Sequence, residues 1–171
     1  MNRCLSVRLF RALSACVFLV GCAGAEWQQI QVAQDYQPPG LVTVAVVGQG
    51  SGAVSNEALE ALQTAIADEL FDHGIKANFI PASNGPPRAD VTVVEWDPGS
   101  KALRWLVGFG AGKGEILVVV RSQSRNGQLG VDGTARGWVS GGWFGGSADD
   151  AAVEAGHLIG DIIATGKRDD D

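Results

Sequence analysis

Few side chains in this sequence can act as a base at neutral pH or as a thiol nucleophile: His73, His157, Cys4, Cys16 and Cys22. All three cysteines lie within the first 22 residues, so the rest of the chain can build neither a disulfide nor a thiol centre. His73 falls at a predicted helix end, where a cation suits the helix dipole. His157 falls inside the last predicted helix, and neither histidine is flanked by a recognised metal-ligand spacing. Among the carboxylates, Glu95 and Asp97 alternate onto one face of a predicted strand, while Asp149 and Asp150 suit a helix N-terminus better than acid–base work. No nucleophile is placed beside any of them. The expectation is no catalytic constellation, no cofactor and no metal, and hence not an enzyme.

Glycine-rich loops that cradle phosphate can be tested by spacing. In Lys101–Gly114 (KALRWLVGFGAGKG), Val107 stands where a Walker A loop needs its first glycine, Gly114 replaces the hydroxyl residue, and a strand follows in place of a helix. Gly48–Gly52 lies between a strand and a helix, but its third glycine comes one residue too early for a dinucleotide fingerprint. Both nucleotide readings fail.

What these segments do present is surface. Read as an extended chain, Lys101–Gly114 puts Leu103, Trp105, Val107, Phe109 and Ala111 on one face and Gly108, Gly110, Gly112 and Gly114 on the other. A bare glycine face admits another backbone, a ring or a lipid chain; a tight bend within the sheet would use glycine equally well. In Trp138–Ser147 (WVSGGWFGGS) two glycine pairs flank Trp143 and Phe144, offering two rings to a partner or a plug to the core. The candidate partner-binding residues are therefore Trp105, Gly108, Phe109, Gly110, Gly112, Trp143 and Phe144. Thirteen of the 24 glycines fall between Gly99 and Gly146, so the excess is local and does not signal disorder.

The N-terminus carries an address. Arg3, Arg8 and Arg11 precede the short apolar run Ala12–Val20, which is too short for a bilayer core and is followed by small residues, the pattern of a secretory signal peptide. Its exit, Leu19-Val20-Gly21-Cys22, resembles the lipobox of bacterial lipoproteins. By that resemblance residues 1–21 are removed and Cys22 becomes the lipidated first residue, with Ala23 after it favouring outer-membrane delivery and a periplasm-facing chain. The competing reading is Ala23-Gly24-Ala25 as an ordinary cleavage site, with a soluble product starting at Glu26. Removing residues 1–21 leaves ten basic against 19 acidic residues, a formal net charge of −9. Such a surface repels nucleic acid and anionic headgroups, so attachment would come from acyl chains.

These residues must be positioned by ordinary elements. Residues 22–40, rich in glutamine and closing on Pro38-Pro39-Gly40, are expected to be a lipidated tether of ~20–25 Å; the alternative is that Trp27, Ile30 and Val32 dock on the domain. A single domain should span 41–166, with an acidic tail at 167–171. Leu41–Val47 reads as a central strand, and Ser55 caps a helix carrying Leu59, Leu62, Ile66 and Leu70 that ends at Gly74. Strands follow at 75–80, 90–96, 115–122 and 129–139, the last pair joined at Asn126-Gly127. Ser147-x-x-Asp150 has the form of a capping box before a final helix with Ala151, Ala155, Leu158 and Ile162 inward. The expected fold is α+β: two layers, about two helices on an antiparallel or mixed sheet of four to five strands, in the order β-α-β-β-β-β-α.

Asp97–Arg104, Gly108–Gly114 and Ser140–Ser147 together resemble a family of bacterial lipoproteins known as a domain of unknown function, which implies an envelope address and no reaction. The element order also looks like the small α/β domain of periplasmic assembly proteins, including the N-terminal domain of TolB and the curli secretion lipoprotein. The expected role is thus a lipid-anchored, periplasm-facing binding or assembly module. An oligomeric secretion or pore-associated lipoprotein is one alternative; a small-ligand binder or hydrolase around Glu95, Asp97 or Trp138 is the other. The implied partners are the membrane, through the lipid, and an envelope protein, with no nucleic acid; homo-oligomerisation is left open. Radiolabelled palmitate should enter the wild type and not Cys22→Ser, whereas a mature N-terminus at Glu26 would overturn the anchor.

Overall fold

The computed structural model describes residues 23–49, 54–79, 87–99, 114–140 and 147–167. Among them the chain forms β1 (Ala23–Val32), β2 (Leu41–Gly48), α1 (Asn56–Asp72), β3 (Lys76–Asn78), β4 (Arg88–Asp97), β5 (Gly114–Gln123), β6 (Leu129–Val139) and α2 (Ala148–Thr165). The strands make one six-stranded mixed sheet in the order β1-β6-β5-β4-β2-β3. β2 is parallel to β3 and β4, and the β4, β5, β6 and β1 pairs are antiparallel. The α+β architecture agrees with the sequence pattern; the strand count is one higher.

The additional strand is β1, in the segment expected to be a tether. It pairs antiparallel with β6 from Ala23↔Val139 to Val32↔Val131, with an irregularity between Trp27 and Gln29. Its alternation is weak because an edge strand buries little: Ile30 is buried, while Trp27 and Val32 lie partly buried against the core. The residues after it are also tied down. The Ser124 hydroxyl accepts from the Gln37 N–H at 3.0 Å and donates to the Gln37 carbonyl at 3.2 Å. The polar composition that resembles a linker reflects an edge position. It does not reflect freedom.

The strand pattern sorts the two faces. Val91 and Val93 of β4, Ile116, Val118 and Val120 of β5, and Val131 and Ala135 of β6 are fully buried beneath the helices. The opposite face carries Thr92, Glu115, Leu117, Arg121, Asp132, Thr134, Arg136 and Trp138, none of them buried. Leu129 is exposed at the start of β6, where the register shifts between Ser122 and Gln123.

Both helices present small and branched residues inward. On α1, Ala58, Leu62, Ala65, Ile66 and Leu70 are buried. On α2, Ala152, Gly156 and Gly160 recur at four-residue spacing beside the buried Ile159, Ile162 and Ile163. A Cβ at Gly156 would stand 2.6 Å from the Ala65 Cβ and 2.8 Å from the Leu62 carbonyl oxygen, and one at Gly160 would meet Glu69. Rising numbers on α2 thus face rising numbers on α1, so the helices run parallel in close contact. Ser55 caps α1 as expected, accepting from the Ala58 N–H at 3.1 Å. Gly74 follows in the left-handed conformation, φ 73°. Ser147 departs from its expectation: it is the N-cap of α2 but makes no side-chain capping bond.

Tyr36 joins the two ends of the domain. Its hydroxyl donates to the Ile163 carbonyl at 2.6 Å, satisfying an acceptor in the last turn of α2. Burial pushes its pKa up from the ordinary 10.0 to about 12, with a smaller opposing effect from a hydrogen bond with Ser122. A phenol harder to ionise when folded stabilises the fold fully below the unfolded value, and that contribution is lost as pH rises through the folded one. Denaturation of the wild type should therefore show stability falling from pH 10 towards 12. Tyr36→Phe should be less stable at neutral pH, by about 1 kcal/mol for the lost hydrogen bond, and flatter across the alkaline range.

Candidate functional site

The register places one row of Cα partners at one end of the sheet: Ala23 beside Val139, and Val139 beside Gly114. Gly114 also lies under the start of α2, where a Cβ would come 3.0 Å from the Ala148 Cα. Three parts of the chain therefore converge here. Ala23 directly follows Cys22; Gly114 ends the connection from β4; and Val139, followed by Ser140, opens the connection to α2. The exit of β4 lies at the same end, because Asp97 partners Glu115. There the Asp97 carboxylate accepts from the Gly99 N–H at 2.8 Å, with Gly99 at φ 65°, closing a turn at Asp97-Pro98-Gly99.

On the open face at this end, consecutive strands supply Gly24, Trp138, Glu115 and Asp97 in one row and Glu26, Arg136, Leu117 and Glu95 in the next. The Trp138 ring lies over Gly24, whose missing side chain makes room for it; a Cβ there would be 2.9 Å from the ring. Arg136 grips Glu115 through two bonds, Nε–Oε1 at 2.6 Å and Nη2–Oε2 at 2.8 Å, with Glu26 at 3.7 Å from Nη1. Its hydrogen bonding to Glu115, reinforced by the charges of Glu115 and Glu26, holds the guanidinium pKa above its ordinary value. A single arginine thus bridges two strands that carry like charges. Glu95 and Asp97 share this face as the alternation implied, and both are exposed.

A family model described as a domain of unknown function, DUF4410, matches residues 26–161. The chain belongs to the DUF4410 family. No curated protein matches it. Among solved structures, a PelC dodecamer from Paraburkholderia phytofirmans is similar over 85% of this chain and 99% of that one, at 16% identity and a TM-score of 0.54. A second PelC dodecamer from the same organism covers 84% and 97%, at 17% identity and a TM-score of 0.49. At such identity the likeness to the first shows a shared fold.

Of the residues singled out from sequence, Cys22, Trp105, Gly108, Phe109, Gly110, Gly112, Trp143 and Phe144 lie outside the described residues. The DUF4410 domain nevertheless brings the described flanks of all three segments to one sheet end, a proximity that linear spacing does not reveal. No described helix is long and apolar enough to cross a membrane.

One cluster escaped the sequence reading. Glu69 lies against both His73 and His157, and Asp161 against His73, where α1 and α2 pack together. Glu69-x-x-x-His73 and His157-x-x-x-Asp161 each place two potential ligands on one helix face. The i,i+4 spacing was readable within each pair, but their meeting required the parallel helix packing.

Arg136→Met should leave Glu26 and Glu115, on the two strands that flank β6, without a shared cation. The melting temperature should fall, and by more at low salt than at high salt, as followed by circular dichroism.

Proposed function

We propose that this DUF4410 protein is a lipid-anchored envelope module that assembles with copies of itself and presents the loop-bearing end of its sheet to the membrane surface. The observation carrying this reading is the pairing of Ala23 with Val139. If Cys22 bears the acyl chains, the first strand begins one residue later, so no spacer separates lipid from fold. The domain would then sit with its Gly114–Val139–Ala23 end at the headgroups. The described flanks of the segments holding Trp105–Gly112 and Trp143–Phe144 lie at that same end, and the ring and glycine content of those segments suits contact with a neighbouring protein or with lipid.

Self-assembly is supported by the fold shared with PelC, which forms a dodecamer. It is also supported by the edge position of β1, a ten-residue strand at the margin of the sheet. Such an edge offers backbone groups to a second chain. The acidic surface keeps assembled copies from collecting nucleic acid.

Detergent-solubilised, palmitate-labelled protein should elute at a multiple of the protomer mass by light scattering. Replacing Trp143 and Phe144 together with alanine should abolish its crosslinks to envelope partners while the circular dichroism spectrum is retained. A strictly monomeric wild type would overturn the assembly reading. Crosslinks that all persist in the double variant would overturn the surface assigned to Trp143 and Phe144.

A further inference from the structure

The chain contains two histidines, and both lie against one carboxylate. Glu69 Oε1 is 3.4 Å from His73 Nε2, and Glu69 Oε2 is 3.0 Å from His157 Nδ1. Asp161 Oδ1 approaches His73 Nε2 to 3.2 Å. One ligand atom from each of Glu69, His73 and Asp161 falls within 4.8 Å of the other two.

We propose that Glu69, His73 and Asp161 form a zinc site that clasps the C-terminal ends of α1 and α2. Zinc takes imidazole nitrogen and carboxylate oxygen at about 2.0–2.2 Å, so two ligands of a tetrahedral ion stand roughly 3.3–3.6 Å apart. Of the separations around His73 Nε2, 3.4 Å falls in that range and 3.2 Å lies just short of it. A small inward movement of the Glu69 and Asp161 carboxylates towards one another completes three corners. The fourth stays open to water, as the partly exposed side chains allow.

Two features of the fold favour a cation at this point. Parallel helices bring two negative dipole ends together, each worth roughly half a charge. Neither helix has a basic residue in its last turn to offset them. Glu69 is also pre-positioned. Gly160 lets its stem lie against α2, and His157 engages the carboxylate oxygen opposite His73. That is the role of the hydrogen-bonding groups that orient metal ligands. The mixed nitrogen–oxygen set suits zinc better than magnesium or calcium, which favour six or more oxygen ligands. The proposal is independent of the lipid anchor and of self-assembly.

Zinc titration of the protein by calorimetry, with chelator-treated samples as the starting point, tests this directly. One zinc ion should bind per chain and raise the melting temperature, and a hundredfold excess of magnesium or calcium should not displace it. His73→Gln and Asp161→Asn should each lose most of the affinity, and the double variant all of it. His157→Gln retains the three ligands and should weaken zinc about 10–100-fold. Unchanged metal-free circular dichroism spectra would separate loss of ligands from loss of fold. If one substitution unfolds the chain, the other still reads out the site. The proposal fails if the wild type takes up no zinc at 100-fold molar excess, if the double variant binds as tightly as the wild type, or if magnesium competes on equal terms.

Discussion

Everything in this domain depends on how closely α2 can approach its neighbours. Helices packed through large side chains sit 8–10 Å apart, and a backbone-to-side-chain approach below that range requires glycine. At Gly156 and Gly160 the side chains of α1 occupy the space a Cβ would need. At Gly137 the Ala151 carbonyl does the same from above the sheet. The α2 helix is therefore pressed simultaneously on α1 and on β6. That fixes the parallel alignment of the helices and brings Glu69, His73, His157 and Asp161 together. It also sets the start of α2 above Gly114 and Val139, so the same packing shapes both ends of the molecule.

The second organising contact is the addition of β1 to the sheet. Its pairing with β6 turns a segment with linker composition into part of the fold and brings Ala23 to the end where the two glycine–aromatic segments leave and re-enter. An anchor at Cys22 would then act without a spacer, with orientation set by strand register. The far end is held by Tyr36 and Ser124, which tie residues 33–40 to α2 and to the β5–β6 turn. β1 adds hydrogen bonds along β6 and covers its outer side although few of its own side chains are buried.

The core strands and both helices were legible because their signals are local. The continuous apolar runs Leu41–Val47 and Ile116–Val120 mark buried strands, and the three- and four-residue spacing of Leu62, Ile66 and Leu70 marks one buried helix face. Ser55 and Gly74 mark helix ends through chemistry that acts within a few residues. β1 was not legible in this way: with Ile30 its one buried large side chain, its pattern is too faint to distinguish a sheet edge from a tether. The capping role of Ser147 was overread for a related reason. A residue suited to a cap still needs its hydroxyl aimed at an unpaired N–H, and the sequence does not specify that rotamer.

By itself, then, the sequence determined the α+β class, the helix limits, the acidic surface and the concentration of glycine around two aromatic segments. All of these follow from residue type and short-range periodicity. The tertiary structure decided which distant segments share an end of the sheet and which side chains share a cluster. The i,i+4 pairs Glu69–His73 and His157–Asp161 are separate patterns until Gly156 and Gly160 allow the helices to close. Likewise Cys22 and Trp143 belong to remote parts of the chain until the register of β1 on β6 brings their neighbours together. Such proximity is set by packing between elements far apart in sequence, and no local pattern encodes it.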